Sequence, residues 1–404
     1  MGRRGGPRRI GALDVTQYRC PKPSVSDSRR IFQVYAGSTE LSPFHECYAN
    51  SATVLRSAAG RLFVHDNGED PGKAYWALRR EAALFDVPER PIEINGPDAV
   101  LFLELIFARP LKDLKIGRAR YVVACTHDGG LFADGILLRL GATRFWFVHP
   151  DGELDTWFLA HRFGFDMTIT DPQSRVLQLQ GPQSFEVMRS VSSGAITADF
   201  GYFHCGVFDL DGQKLLISRT GWTGELGYEI YTQGDDTDCP RLWNALMEAG
   251  APSGMIFGSM QSMNIRRIEA GILDSGSDFD SSMTPSEAGL DKFVDLTNDG
   301  FIGREALLAP PRGRRLFGLL CRDLIPSAGC ELFDGDEPVG VVTTGAYSPY
   351  LKMAVGYVRF SAAGDWPTRT LSLHCADKGE AQCEIVDPPF YDREKKIPRT
   401  IASP

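Results

Sequence analysis

"SRTGWTGELGYEIY", residues 218–231, crowds three glycines into a tight turn and then sends out a strand carrying an acid among aromatics. Turn chemistry accounts for the glycines, which supply the backbone freedom a hairpin reversal needs. It does not account for Glu229 between Tyr228 and Ile230. Side chains alternate along a strand, so Glu229 and Tyr231 share one face while Tyr228 and Ile230 share the other. A lone glutamate on a strand is ordinarily solvated. With Trp222 in the turn and Tyr231 on its own face, however, this carboxylate is expected to be partly desolvated and to need donors. A flat heterocycle bearing an amino group beside a ring N–H offers two parallel donors to one carboxylate, and pterins and guanines carry that edge.

Outward from the hairpin, the grammar is mixed helix and strand. "KAYWALRREAALFD" (73–86) has helical periodicity, and "RPIEINGPDAVLFLELIF" reads as a strand, a turn at Asn95-Gly96-Pro97 and a helix from about Asp98. "RVLQLQGPQSFEVMRSV" repeats that strand–Gly-Pro–helix order, which suggests two related halves. "RYVVACT" and "LFADGILLRL" flank Asp128-Gly129-Gly130 as a hairpin. The run 206–233 reads as a three-stranded meander, followed by helices at 240–249 and 258–271. From 314 to 387 short strands predominate, with turns expected at Asp334-Gly335, Gly340 and Gly345, so a small C-terminal β-barrel is expected. The fold class is therefore α+β. The expected division is a loosely ordered extension over 1–40, an α+β region over 41–313 and the barrel over 314–404.

A chain of 404 residues is long enough for more than one domain. A net charge of −9 argues against a nucleic-acid surface as the main business, and no apolar run is long enough to span a bilayer. The basic start "MGRRGGPRR" lacks the apolar stretch of a secretory signal and reads as a tail. Nine cysteines stand at scattered spacings without a CxxC pair, so zinc, iron–sulfur and disulfide-framework readings lose support and a reducing cytoplasm is expected. The seven histidines are equally dispersed, and no metal site is expected.

Two further stations carry chemistry. Asp134 interrupts an otherwise apolar strand, either at an exposed end or held for a purpose, and Gly135 beside it suggests a bulge or a close backbone approach. "NIRRIEAGIL" (264–273) is either a solvated helix face or the place where an arginine meets a carboxylate-bearing ligand tail.

"SRTGWTGELGYEI", "VLQLQGPQS", "RRIEAGIL", "TPSEAGL", "FIGREAL" and "GVVTTGAYSPYLKMAVGYV" resemble, in order, the motifs of the glycine-cleavage T-protein superfamily of tetrahydrofolate-dependent one-carbon transferases. The likeness runs from about residue 74 to 395. Within the superfamily the wording of the motifs is most similar to the branch that demethylates dimethylsulfoniopropionate. The aminomethyltransferase branch has tyrosine where Trp222 stands and paired aspartates in the hairpin, whereas this chain has Ala133 and keeps only Asp134. The resemblance implies three domains around a central folate channel, with tetrahydrofolate as the cofactor.

By the same resemblance Glu229, Tyr228, Arg267 and Tyr121 hold the folate and Asp134 is the catalytic acid near its reactive nitrogens. Trp222, Tyr231, Trp157 and Phe44 cage a sulfonium or quaternary ammonium donor of the methyl group. Two segments depart from the pattern: the run from Asp86 to Gly96 is one residue short, and "VACTHDGG" replaces the usual approach to Gly129. The rival readings are an aminomethyltransferase with a lipoyl carrier partner, an O-demethylase of a methoxyaryl compound with His127 or Tyr121 as proton donor, a folate-binding protein without activity, and a piece of a flavin-linked dehydrogenase. The expected partners are the methyl donor and folate, with no nucleic acid, no membrane and a homodimer left open.

Overall fold

The computed structural model describes residues 39–149, 154–310 and 312–401. The extension expected over 1–40 lies, but for its last two residues, outside the described residues. Two sheets pack face to face. The first has six strands in the order Cys205–Leu210, Gln213–Ser218, Gly227–Tyr231, Val176–Gln180, Ala83–Val87 and Ile256–Phe257. All its neighbours are antiparallel except the last pair, which is parallel. The second has five strands in the order Arg118–Cys125, Leu131–Arg139, Arg144–Val148, Ile92–Asn95 and Thr168–Thr170.

The faces that meet bury Phe85, Val176 and Tyr231 from the first sheet against Ala119, Leu138 and Trp146 from the second. Helices cover the outer faces. Ser184–Val191 and Cys239–Gly250 place Met188 and Trp243 on the side of the first sheet that carries Tyr228 and Ile230. Ala99–Ile106 and Leu154–His161 place Phe102 and Phe158 on the second. With both faces covered, the alternation of side chains along each strand decides which residues can reach the space between the sheets.

The two halves repeat one piece of geometry. Gly96 and Gly181, each followed by proline, sit at φ +153° and +120° between a strand and a helix. A Cβ on Gly96 would meet the Asp166 carbonyl oxygen at 2.5 Å, and one on Gly181 the Glu81 carbonyl oxygen at 2.6 Å. Only glycine lets the chain pass that close to another backbone.

The C-terminal region is a closed six-stranded barrel, in the order Leu316–Cys321, Met353–Phe360, Glu337–Ser348, Glu331–Asp334, Thr370–Cys375 and Gly379–Val386. Closure removes the exposed edges that short strands would otherwise offer. The barrel is tied to the sheets by buried polar contacts. Glu269, at the end of helix Met260–Glu269, accepts hydrogen bonds from Tyr75 Oη (2.8 Å), from barrel Ser348 Oγ (2.5 Å) and from Tyr391 Oη of the C-terminal segment (2.9 Å).

Four expectations are corrected. The helix expected over 73–86 spans Pro71–Arg80, capped by Asp70, and Ala83–Val87 is instead a fully buried strand. A short apolar run has no periodicity that separates it from a continuing helix. Gly340 and Gly345 are not turns but lie inside the twelve-residue strand Glu337–Ser348. The Pro326 carbonyl oxygen would sit 2.4 Å from a Cβ on Gly345, so close approach explains that glycine. The helix expected over 258–271 is the shorter Met260–Glu269. Finally, Cys330 and Cys375 form a disulfide across 45 residues of sequence. They flank the paired residues Glu331 and His374 on adjacent strands, a proximity created by barrel closure and invisible in the spacing.

Candidate functional site

Glu229 stands at the centre of the inner face of the first sheet. Register places Ser218 directly opposite it on one side and Gln178 on the other. Its Oε2 accepts from Tyr231 Oη at 2.5 Å, Thr220 Oγ1 at 2.7 Å and Ser218 Oγ at 3.2 Å. Its Oε1 has one long donor, the Gln178 amide at 3.3 Å, and so keeps acceptor capacity. The residue is 4% exposed. Burial raises its pKa above the usual carboxylate range, against the pull of the three hydroxyls. The capacity left on Oε1 is open to a further donor, such as one of the two N–H groups along a pterin edge.

The turn before it is held from both sides. A Cβ on Gly221 or Gly227 would strike the Gln180 side-chain amide at 2.2 or 2.3 Å, so both glycines make room for that amide. Gln180 Oε1 accepts from Thr223 Oγ1 at 2.8 Å. Glu225, at the tip, is buried between two arginines, Arg79 and Arg266, the latter donating from Nε at 2.6 Å. Trp222 is thereby fixed, with the Arg267 guanidinium 5.1 Å from its ring centroid.

Asp134 arrives from the second sheet. Tyr121, diagonal to it across the hairpin, donates its hydroxyl to Asp134 Oδ2 at 2.7 Å. Gly135 answers to close approach: a Cβ there would meet the Val148 carbonyl oxygen at 2.5 Å and the Phe147 ring at 2.6 Å. Asp134 keeps partial solvent contact although protein surrounds it deeply. Burial first, then the nearby Asp274 carboxylate, push its pKa up to about 6 against the Tyr121 hydrogen bond. Burial beside Asp134 also raises the Tyr121 phenol well above its ordinary value.

The strands that carry the two acids meet in one apolar cluster. Ile136, on the same face as Asp134, packs in the cluster that contains Tyr231 and Trp222. Arg267, beside Trp222, in turn lies within the field of Asp274.

Several expected members stand elsewhere. Tyr228 faces away from Glu229, fully buried against the covering helices and 6.3 Å from Phe200, as strand alternation requires. Phe44 lies in that same outer core, 6.3 Å from Trp243. Trp157 packs on Phe132 at 4.8 Å and on His161 at 4.3 Å, at the helix-covered side of the second sheet. Of the four aromatics expected to form a cage, Trp222 and Tyr231 come together, joined by Trp146, whose ring meets Tyr231 edge-on at 6.0 Å.

Arg267 is buried, and its donors are engaged by Asp278, Asn264 (2.9 Å), the Ile272 carbonyl (3.2 Å) and Thr344 (3.2 Å). It locks the helix to the barrel and is not presented to a ligand tail. His127 is exposed on its turn beside Trp157 and His161. Residues not anticipated are Gln178, Thr220 and Asp274. The polar pair Gln178 and Gln180, two apart in an apolar strand, is the signal that could have found the first.

Among the described residues no group of acids, histidines and cysteines is placed to hold a metal ion, and no helix is long and apolar enough to cross a membrane. Residues 67–298 match the GCVT N-terminal domain, and residues 314–392 match the glycine cleavage T-protein C-terminal barrel domain. The chain belongs to the glycine cleavage T-protein family. The family makes it a tetrahydrofolate-dependent one-carbon transferase.

Aminomethyltransferases from Lysinibacillus sphaericus and Streptomyces avermitilis are 30% and 33% identical to it, each over 79% of this chain and 89% of their own length. The dimethylsulfoniopropionate demethylase DmdA of Ruegeria pomeroyi is 33% identical over 70% of this chain and 79% of its own. The crystal structure of the glycine cleavage system aminomethyltransferase T from Bartonella henselae superposes with a TM-score of 0.79 at 24% identity, covering 88% of this chain and 99% of that one. This T-protein fold agrees with the mixed helix–sheet reading and its terminal barrel.

Proposed function

We propose that this T-protein family member is a demethylase that moves a methyl group from a small sulfonium or quaternary ammonium donor to tetrahydrofolate, with dimethylsulfoniopropionate as the leading candidate. The observation that carries the reading is the single acid on the two strands of the hairpin. Asp134 follows Ala133 and receives its hydrogen bond from Tyr121, so no second hairpin carboxylate stands beside it.

Release of ammonia from an aminomethyl group needs a proton delivered to the departing amine. A sulfonium needs none: the methyl–sulfur bond breaks with its electron pair going to sulfur, and a neutral thioether departs. Tetrahydrofolate, when bound, supplies the ring amine that takes the methyl group. The protein's part is placement, which can supply on the order of 7–11 kcal/mol of the barrier. Glu229 grips the amino edge of the pterin. Asp134, ionised above about pH 6, stabilises the positive charge that develops at the accepting nitrogen and takes the proton released there.

The Trp222 indole offers a face to a cation, a contact of about 0.5–2 kcal/mol, and already carries the Arg267 guanidinium. The similarity to DmdA supports this donor class.

Aminomethyl transfer from a lipoyl carrier is the second reading, favoured by the names of most of the relatives. One assay separates the two. The protein is incubated with tetrahydrofolate and dimethylsulfoniopropionate, glycine betaine or a methoxyaryl compound, and methyl-tetrahydrofolate is measured by mass. In parallel, an aminomethyl-lipoyl carrier is offered and methylene-tetrahydrofolate and ammonia are measured. Product from the sulfonium or betaine alone supports demethylation. Product from the carrier alone refutes it.

A further inference from the structure

The loop that leaves helix Met260–Glu269 carries a carboxylate with no part in gripping the pterin. At Asp274 the chain folds back on itself. Its carbonyl accepts from Asp278 N at 2.9 Å, and its own N–H donates to Asp278 Oδ2 at 2.9 Å. The loop is anchored on two sides. Asp278 binds Arg267 and accepts from barrel Thr343 and Thr344 at 2.7 and 2.8 Å. Further on, the Met283 carbonyl accepts from Leu131 N at 2.7 Å, and a Cβ on Gly130 would meet the Ser281 carbonyl oxygen at 2.0 Å. These contacts fix the loop against the start of Leu131–Arg139, the strand that carries Asp134. Leu273 packs in the same apolar cluster as Tyr121, whose hydroxyl Asp134 accepts.

Asp274 has no cation of its own. Among the described residues no lysine or arginine stands within ion-pair distance of it, and Arg267 is taken by Asp278. Its Oδ2 accepts from Ser277 Oγ at 2.5 Å, while its Oδ1 receives no hydrogen bond from a described residue. The side chain is half-buried.

The charge of Asp274 reaches both sides of the pocket. It adds to the burial that holds the proton on Asp134, and it acts on Arg267, whose guanidinium lies 5.1 Å from the Trp222 ring centroid. Burial and then Asp278 resist the ionisation of Asp274, against Arg267 and the Ser277 hydroxyl. The influence between the two acids runs one way: Asp274 loses its proton first and then faces Asp134 as an anion. Near pH 7 the pocket therefore holds two carboxylates from different elements, beside a guanidinium that Asp278 already neutralises.

We propose that Asp274 is a specificity-determining residue, whose unpaired carboxylate makes the pocket prefer a methyl donor that is cationic at its reacting centre to one of the same shape that is uncharged there. The proposal rests on the demethylase reading of the site. An aromatic face attracts a cation weakly, and here the same ring already carries a guanidinium of like charge. A nearby anion offsets that repulsion and the cation's loss of water. After transfer the product is a neutral thioether, which the charge no longer holds.

Dissociation constants are measured on the full chain with methyl-tetrahydrofolate in the cofactor site, so that no transfer occurs. The two ligands are dimethylsulfoniopropionate and 4-methylpentanoate, which keeps the carboxylate and replaces the sulfonium by an uncharged carbon. In the parent the cation is expected to bind about tenfold tighter, as a carboxylate at half-buried depth allows. Asp274→Asn and Asp274→Ser are expected to bring that ratio close to one by weakening the cation alone, and Asp274→Glu to keep most of it. In turnover with tetrahydrofolate, KM for the sulfonium is expected to rise about tenfold in the neutral variants, with kcat falling by less. Thermal melts accompany each variant. A ratio near one in the parent, or one that survives a neutral variant melting like the parent, overturns the role of Asp274; methyl transfer from the sulfonium then leaves the demethylase reading in place. Equal loss of both ligands in all three variants shows a structural role and also overturns it. A parent that transfers no methyl group from a sulfonium or a betaine overturns the demethylase reading, and this proposal with it.

Discussion

Replacing Glu229 by glutamine keeps the volume and removes the charge. The amide oxygen can take the place of Oε2 and keep the hydroxyls of Tyr231, Thr220 and Ser218, which lie at 2.5, 2.7 and 3.2 Å. The amide nitrogen then replaces Oε1, the oxygen with spare capacity, and faces the Gln178 amide from 3.3 Å. Two consequences separate. Folding stability should change by no more than about 1 kcal/mol, because one long hydrogen bond is lost while a buried charge is relieved. Folate affinity should fall much further. A charge-assisted hydrogen bond contributes about 1.5–3 kcal/mol, and here a ligand donor meets a donor instead of an acceptor, so that bond is lost and the donor is left unsatisfied. The expected loss is about 2–4 kcal/mol, or roughly 30- to 1,000-fold in Kd at about 1.4 kcal/mol per tenfold. Equilibrium titration with tetrahydrofolate near pH 7, beside a thermal melt of the apo protein, reads both quantities. A variant that melts like the parent and binds folate within about threefold of it would refute the assignment of Glu229 to the pterin edge.

Asp134, with its pKa raised to about 6, must lose its proton to act, so kcat/KM should rise through about pH 6 and level off above it. In Asp134→Asn that limb should vanish and kcat fall by about 10²–10⁴-fold; a persisting limb would assign it to another group. Asp86, 4% exposed and hydrogen-bonded by Tyr48 Oη at 2.9 Å, has its pKa raised by burial from 3.8 to about 6. A raised carboxyl favours the folded state while protonated, so its contribution is lost as pH rises from about 4 through about 6. At about 1.4 kcal/mol per pH unit this amounts to ~3 kcal/mol. Denaturant unfolding across that interval should be flatter by most of this amount in Asp86→Asn, and equal slopes in parent and variant would count against it. Gly135→Ala should cost about 1–3 kcal/mol and lower kcat, since its Cβ meets the backbone oxygen of Val148 at 2.5 Å and displaces the strand that carries Asp134. A melting temperature equal to the parent's would show that the strands tolerate the methyl group.

How far the sequence could be read depended on whether the deciding contact was local. The two faces of Gly227–Tyr231 follow from alternation alone, and they put Glu229 and Tyr231 together in the interior. The same rule should have removed Tyr228 from the folate set, since a strand cannot turn adjacent residues to one ligand. The strand–Gly-Pro–helix units were legible because turn, cap and periodicity sit within twenty residues of one another. Ala83–Val87 was not, because its continuous burial in mid-sheet erases any period. Phe44 and Trp157 were assigned by analogy of position, and packing against Trp243 and Phe132 takes them away. Gln178 and Ser218 reach Glu229 only through the register of three strands, two of them more than thirty residues apart in sequence. The Cys330–Cys375 pair has the same character, being set by which strands close the barrel.

Glu269 draws a phenol from one helix, a hydroxyl from the barrel and another phenol from the C-terminal segment onto a single carboxylate with no exposed surface. Truncating the chain ahead of residue 314 would therefore do more than delete an accessory module. It would strip this anion of two of its three donors and leave Arg267 without Thr344. Such a fragment should be insoluble rather than merely inactive, so the barrel is better regarded as a structural wall of the enzyme, inherited and lost together with it.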